Sequence, residues 1–571
     1  MAIFGKKKDA EDPTKSSDAS SDEGKEDTRP LNEYVVVPGE PFPPVPGPVE
    51  RYTVTFAEDD PERPINRSMT RRVIAKAIAS ICITFVSWGS SVISPGATQL
   101  MEEFHIGQVV STLPVCLYVI GFAVGPVFWG PASELYGRKL PLVVGMFGFM
   151  LFGFASATAE NYQTLALGRF FMGACGCTTL VVGPSISADL FTVTQRGKAV
   201  SGVIFCLVAG PMIAPVVGAF ITNSYLGWRW TQYITAIMGA LGTVLMVFCL
   251  EETYPQLALR ARAQKIRHET GNWAVCAPIE SMELDTKAIV DRTLLKPFYL
   301  LAVEPMLLLL SVYHGFIYGI LYLCLSALPF IFERYYHWSG SIPYLPYIGM
   351  FTGAILVVCV NLIFFDPMTA SLIAKSGKKE YPESRIPLMM MCGIIFPMGI
   401  FMMCWSGRYG PAVHWMVPTV GAGLLGFGLI GIFQAILIYI IDSYLPVAAS
   451  AIAANTFVRS AMAGAFPLYS LIMFKNLNSE WAGTILGCIA SLLAPAPFVF
   501  FWFGPKIRAK SRFAAGGDDE EEAHIIAQDL ERQVSADPGM ADAAMFTTHD
   551  SLTRRVTRIP TTPRNDEPSQ A

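Results

Sequence analysis

The sequence predicts an all-α integral membrane protein with twelve transmembrane helices in two six-helix bundles. Three observations carry this expectation. Only 15% of the 571 residues are charged, against about 25% in a soluble globular chain. Between short charged islands run apolar stretches of the ~20 residues that a helix needs to cross a ~30 Å hydrocarbon core. One long polar stretch, residues 251–297, divides those stretches into six and six.

Residues 1–70 are rich in Ser, Asp, Glu and Lys and then in Pro, a composition that buries no core and predicts a disordered tail. Their first residues hold no apolar run of signal-peptide length. The N-terminal bundle is expected over 71–250, with spans near 73–94, 109–130, 140–158, 164–186, 200–223 and 231–250. The polar linker 251–297 follows. The C-terminal bundle is expected over 298–512, with spans near 299–326, 344–365, 387–406, 415–440, 448–473 and 482–503. Residues 513–571 read as a second disordered tail. Internal duplication is a recurring transporter device, and Gly121-x-x-x-Gly125 in span 2 is echoed by Gly349-x-x-x-Gly353 in span 8. The twelve cysteines fall mostly in apolar stretches without zinc-ligand spacing, so they read as packing residues.

Lys and Arg set the orientation. One set of loops holds Arg71, Arg72, Arg138, Lys139, Arg196, Lys198, Arg260, Arg262, Lys265, Arg267, Lys375, Lys378, Lys379, Lys506, Arg508, Lys510 and Arg512. The opposite loops hold only Arg229, Arg334, Arg408 and Lys475. The rich side is expected to be cytosolic, with both tails and the linker.

Four features carry candidate chemistry. Gly130, Glu134, Gly137, Arg138 and Lys139 form an island between spans 2 and 3. Its glycines permit a sharp turn and close helix approach, and Glu134 and Arg138 stand i, i+4, a spacing that allows pairing. A plain cytosolic turn is the alternative. Span 5 carries a small residue at every fourth position: Gly202, Cys206, Gly210, Ala214 and Gly218. Pro211 and Pro215 add kink points. Small faces let helix backbones approach closely in lipid.

Ionisable residues inside spans are expensive and read as functional by default. Arg169 lies in span 4 and Arg459 in span 11, where pairing with backbone carbonyls is the alternative role. Glu304 lies toward the start of span 7. His314, further along span 7, titrates near neutrality when unperturbed; a packing histidine is the alternative. Tyr318 and Tyr322 share its stripe. Trp88, Tyr118, Gln434 and Asn455 complete an aromatic and neutral-polar set of pocket candidates.

The island resembles the G-x-L-a-D-r-x-G-r-k loop of the major facilitator superfamily, with Ala132 and Glu134 as departures. The resemblance implies a charge latch at Glu134 and Arg138. Gly210-x-x-x-Ala214-Pro215-x-x-Gly218-Ala219 resembles that superfamily's antiporter motif and implies export. Arg169-Phe-Phe-Met-Gly173 resembles its R-x-x-q-G motif and implies a part in proton coupling. Trp228-Arg-Trp-Thr-Gln-Tyr, Glu252-Thr-Tyr-Pro and Asp442-Ser-Tyr-Leu-Pro resemble the fungal twelve-span drug:proton antiporter branch, over roughly residues 70–512.

The expected function is proton-coupled efflux of small, largely apolar or aromatic molecules, such as fungal toxins and antifungal drugs, from the plasma membrane. A vacuolar or vesicle membrane is the alternative location. Polyamine export and nutrient facilitation are the alternative functions. No Walker sequence, H-E-x-x-H or G-x-S-x-G occurs, so neither ATP-driven pumping nor an enzyme is indicated. The expected partners are a small-molecule substrate, protons and the lipid bilayer. No cofactor, metal or nucleic acid is expected, and the unit is a monomer powered by the proton gradient.

Overall fold

The structure is a computed structural model. It describes residues 54–56, 60, 63–191, 193–270, 273, 275–277, 280, 296–376, 382–444, 447–508 and 511. The tail expected over 513–571 and most of the tail expected over 1–70 lie outside the described residues.

The chain divides into two units, residues 1–57 with 259–282, and residues 58–258 with 283–571. In the small unit Val54, Leu259, Ala263, Val275 and Ala277 pack together. The Val54 amide donates to the Cys276 carbonyl (3.0 Å), and Arg267 pairs with Glu280 (2.8 Å). Val54 is therefore core in a stretch whose polar composition had suggested only disorder.

The large unit is built of helices. Its first half holds α1 (Met69–Ser91), α2 (Ala97–Phe104), α3 (Gln108–Leu135), α4 (Lys139–Ala157), α5 (Tyr162–Leu190), α6 (Val193–Thr222) and α7 (Arg229–Cys249). A helix α8 (Pro255–Thr270) starts in what had read as a polar linker. The second half holds α9 (Lys296–Val303), α10 (Pro305–Tyr336), α11 (Tyr347–Val360), α12 (Asp366–Ser376), α13 (Ile386–Arg408), α14 (Met416–Ser443), α15 (Ala448–Leu493) and α16 (Ala496–Arg508). Among the described residues, eleven helical stretches are long and apolar enough to cross a membrane. The last, Ser450–Gly504, runs 55 residues, about 80 Å if straight. It breaks at Asn478 (φ 57°, ψ 173°), which divides it into the eleventh and twelfth spans.

Span 7 begins later than the 299–326 expected. Pro305 cannot donate to a preceding turn, so helix α9 stops and α10 restarts with Glu304 extended at its N-cap. Span 8 continues from α11 through a π-turn, Asn361–Phe365, into α12.

Burial separates central from peripheral helices. The apolar windows of spans 7 and 10 are 89% and 83% buried, against 33% for span 6. Phe128, Phe248, Leu492 and Trp502 point outward. In water such a belt would be costly; in a bilayer it is the matched surface.

The glycine echo marks equivalent contacts in the two halves. A Cβ on Gly121 would lie 2.6 Å from the Phe170 carbonyl, and one on Gly125 2.8 Å from the Ala174 carbonyl, both on α5. Gly349 and Gly353 meet Thr419 and Gly423 on α14 in the same way. Span 2 thus packs on span 4 as span 8 packs on span 10. Between halves, α6 packs on α11 and α14, and α15 packs on α3.

The small face of α6 lies on α1. A Cβ on Gly210 would fall 2.6 Å from the Trp88 amide nitrogen, and Gly218 abuts the Val92 carbonyl. Pro215 withdraws the donor that would satisfy the Pro211 carbonyl, and the Ser91 hydroxyl supplies it instead (3.3 Å). Ser87 Oγ also lies 3.2 Å from the Cys206 carbonyl, with its shorter contact to the Ile83 carbonyl of its own helix (2.7 Å). Ala214 is fully buried. Gly202 is less confined, with only the flexible tip of Lys76 near it (3.3 Å). Gly210→Leu is expected to separate α6 from α1, lower folded yield severalfold in fluorescence-detected size exclusion and abolish transport; Gly202→Ala is expected to keep both. A normal Gly210→Leu would refute the close-packing reading.

Candidate functional site

Two cavities enter the large unit from opposite ends. The near end carries the α3–α4 turn and the outer ends of α1 and α16. Its cavity has about 370 Å³ and runs from Glu134, Arg138 and Lys296 inward past Ala123, Leu207 and Leu437 to Arg459. The far cavity, about 430 Å³, runs from Glu333, Arg334 and Lys475 inward to Ile93, Val115 and Leu325. Ile83 on α1 lines the near cavity, and Ile93, just past the end of α1, lines the far one. The ten-residue step from one to the other corresponds to about 15 Å at the helical rise.

That interval is a dry polar seal. Arg169 is fully buried and hydrogen-bonded all round. It donates to the carbonyls of Gly89 (2.7 Å), Ser90 (3.0 Å) and Pro114 (3.1 Å), and to Gln232 Oε1 (3.3 Å). Gly89 and Ser90 belong to the last turn of α1, whose carbonyls lack partners in their own helix. Arg169 therefore caps α1 with a positive charge where the helix dipole favours one. Its guanidinium also lies over the Tyr118 ring (4.3 Å), and Tyr118 donates to the Val86 carbonyl (2.6 Å). Across the halves, the Tyr322 hydroxyl donates to Ser90 Oγ (2.9 Å), and Tyr318 and Tyr322 share a hydrogen bond (3.2 Å).

His314 and Arg459 stand on the near side of this layer. Asn455 donates through Nδ2 to Ser311 (3.2 Å), which turns its Oδ1 toward His314 Nδ1 (2.9 Å). His314 Nδ1 is then the donor, and Nε2 keeps a buried lone pair without a partner. Phe433 packs against His314 (4.1 Å between centroids) and lies under the Arg459 guanidinium (5.0 Å). Arg459 also covers the Tyr318 ring (5.0 Å).

The pocket candidates divide. Tyr118, Tyr318, Tyr322 and Asn455 line neither cavity; they are the seal and its support. Trp88 lines neither, and its indole N–H is buried without a partner. Gln434 donates to Ser201 on α6 and ties the halves together elsewhere. A polar stripe inside a span reads as a cavity wall, but here burial of both helices turns it inward to other protein groups. Glu304 is remote from His314: at the near end its carboxylate accepts from Tyr444 (3.2 Å) and Ser511 (2.8 Å).

The expected Glu134–Arg138 pair is not the one formed. Helix α3 ends at Leu135 and Gly137 turns the chain at φ 83°, so helical i, i+4 geometry does not extend to Arg138. Glu134 is exposed. Arg138 instead pairs with Asp189 at the end of α5 (3.0 Å), donates to Ser133 (3.0 Å) and lies over Tyr254 (4.5 Å). Glu252 accepts from the amides of Arg138 (2.9 Å) and Lys139 (3.0 Å), serving the N-terminus of α4 from a distant segment. Lys139 Nζ reaches the Val247 carbonyl (2.9 Å). Gly130 has open space around it, so no close helix approach requires it. In the second half Arg385 stands 3.8 Å from both Asp366 and Asp442, and Arg508 pairs with the fully buried Glu383.

Two arrays of six spans, repeated glycine contacts and a seal between opposed cavities are now in place, and the Major Facilitator Superfamily sequence profile matches residues 79–467. The chain belongs to the major facilitator superfamily. It is 43% identical over 478 residues to the major facilitator superfamily multidrug transporter FLU1 of Candida albicans, covering 83% of this chain and 78% of that one. It is 40% identical over 481 residues to the multidrug transporter TPO1_2 of Candida glabrata, covering 83% and 82%. The solved proton:xylose symporter XylE, bound to 6-bromo-6-deoxy-D-glucose, superposes with TM-score 0.57 at 18% identity, over 76% of this chain and 96% of that one. This last likeness concerns the fold. As a superfamily transporter the chain uses pairings that local spacing could not reveal: Asp189 is 51 residues from Arg138, and Ser90 is 232 from Tyr322.

Proposed function

We propose that this transporter is a proton-coupled efflux pump that moves small, largely apolar or aromatic molecules out of the cell by alternating access. The observation that carries the reading is the pair of blind cavities meeting on one seal supplied by both halves. A rocking motion that breaks Tyr322–Ser90 on one side and re-forms contacts on the other exposes the site to each face in turn. The near cavity is walled largely by aliphatic and aromatic side chains, which suits such substrates. Multidrug transport by the named relatives supports export. The Lys/Arg bias supports a cytosolic near end, and export out of the cell calls for the plasma membrane as the site of action. His314 supplies a buried base next to the seal, and Glu304 is a buried carboxylate further toward the near end, held by Tyr444 and Ser511.

The test uses ATP-free proteoliposomes and a pump-deficient yeast. Proton-driven counterflow of a neutral aromatic toxin, with raised resistance to it in cells, is expected. Equilibration insensitive to the proton gradient would make the protein a facilitator, and protection against spermine alone would make it a polyamine exporter.

A further inference from the structure

The two span-centre arginines are in opposite chemical states. Arg169 has an acceptor for each of its three nitrogens. Arg459 is only 3% exposed, yet none of its donors meets an acceptor among the described residues, and its Nε is buried without a partner. Its flat faces rest on Tyr318 and Phe433, which leaves the donor edge as the part that can serve something else. Arg459 is itself part of the inner wall of the near cavity. The carboxylate that the same cavity contains, Glu134, stands at the mouth with Arg138 and Lys296.

We propose that Arg459 is the anion subsite of the transport cavity, and that the molecules bound there are amphipathic organic acids. The carboxylate of such a molecule takes the vacant donors, and its apolar body lies along Leu207, Leu437 and Phe457. A guanidinium fork matches a carboxylate in two parallel hydrogen bonds, an arrangement that lysine cannot copy. Leaving a buried charge without hydrogen bonds is costly, so a site that keeps one vacant gains most from an anionic partner and rejects a cation. The cavity's ~370 Å³ lies within the range of small-molecule sites. The inference rests on the efflux reading for direction only; binding is independent of it.

The test measures binding to purified full-length protein of 1-naphthoate, its neutral isostere 1-naphthamide and the cation 1-naphthylmethylamine. Naphthoate is expected to bind at least tenfold more tightly than naphthamide, with the amine weakest. Arg459→Gln should bring naphthoate down to the level of naphthamide without changing naphthamide binding, and Arg459→Lys should restore part of the difference. Equal binding of acid and amide by the wild type, or preference for the amine, overturns the proposal, as does an acid preference that survives in Arg459→Gln. Size-exclusion profiles confirm that the variants are folded, and the wild-type comparison decides if they are not. Arg459-dependent naphthoate binding without proton-driven export leaves the subsite standing and refutes efflux. Export of neutral toxins with no acid preference does the reverse.

Discussion

Arg169→Met is expected to lower the thermal stability and the membrane abundance of the transporter more than any other single change in the seal. The substitution keeps the apolar stem but strips the acceptors at Gly89, Ser90 and Pro114 of their donors. Each bond to a charged donor contributes about 1.5–3 kcal/mol, so even two of them amount to ~3 kcal/mol or more. That is a large share of a typical ~5–15 kcal/mol of total stability. Arg169→Lys should recover little, because one ammonium cannot span carbonyls on both α1 and α3. Arg459→Gln removes a buried guanidinium that has no hydrogen-bond partner among the described residues, and its melting midpoint should match or exceed that of the wild type. Melting followed by size exclusion compares all three. An Arg169→Lys protein with normal melting and abolished transport would move Arg169 from capping to proton coupling.

Asp189→Asn is the second large effect. Arg138 and Asp189 are 11% and 14% exposed, between the surface regime of ~0–1 kcal/mol and the buried regime of ~3–5 kcal/mol. About 2 kcal/mol is a reasonable value, which is roughly 30-fold in the balance between conformations. Transport by Asp189→Asn should fall at least tenfold with abundance nearly unchanged, and Arg138→Ala should behave alike. Glu134→Gln should keep at least half of wild-type transport, since its carboxylate is exposed and not paired with Arg138. The reverse ranking would restore the Glu134 latch.

These two cases show what the sequence made legible. Span number and order depend on runs of about twenty apolar residues, a local property, and the described residues hold twelve such helical stretches once the last is divided at Asn478. Span ends were less visible: Glu304-Pro305 breaks span 7, although both α9 and α10 are apolar. The tightness of Gly210 followed from a four-residue period, and Gly202 shows that the period alone does not say what lies opposite. The charge partners were the least visible. Glu134 is near Arg138 in the chain, whereas Asp189 and Glu252 arrive from the ends of other spans. A local i, i+4 rule selects the wrong acid once a glycine turns the backbone. The aromatic stripe of Tyr318 and Tyr322 was legible as a functional face, but whether it faced void or protein depended on α1 and α3.

The seal has a consequence for the tempo of the cycle. A plug of hydrocarbon gains by excluding water from its whole area, so a wider one is harder to part. Here the contact across the halves at its centre is a hydroxyl pair, Tyr322 with Ser90. Water entering from either cavity can replace that bond almost in kind, so parting it costs only about 0.5–1.5 kcal/mol net, or at most some tenfold in population. The heavier electrostatics, Arg169 on its carbonyls, stays within one half and need not move. The seal's rigid part and its parting part are thus different sets of atoms: Arg169 keeps its carbonyls throughout, and the hydroxyl pair opens at little cost each time cargo passes.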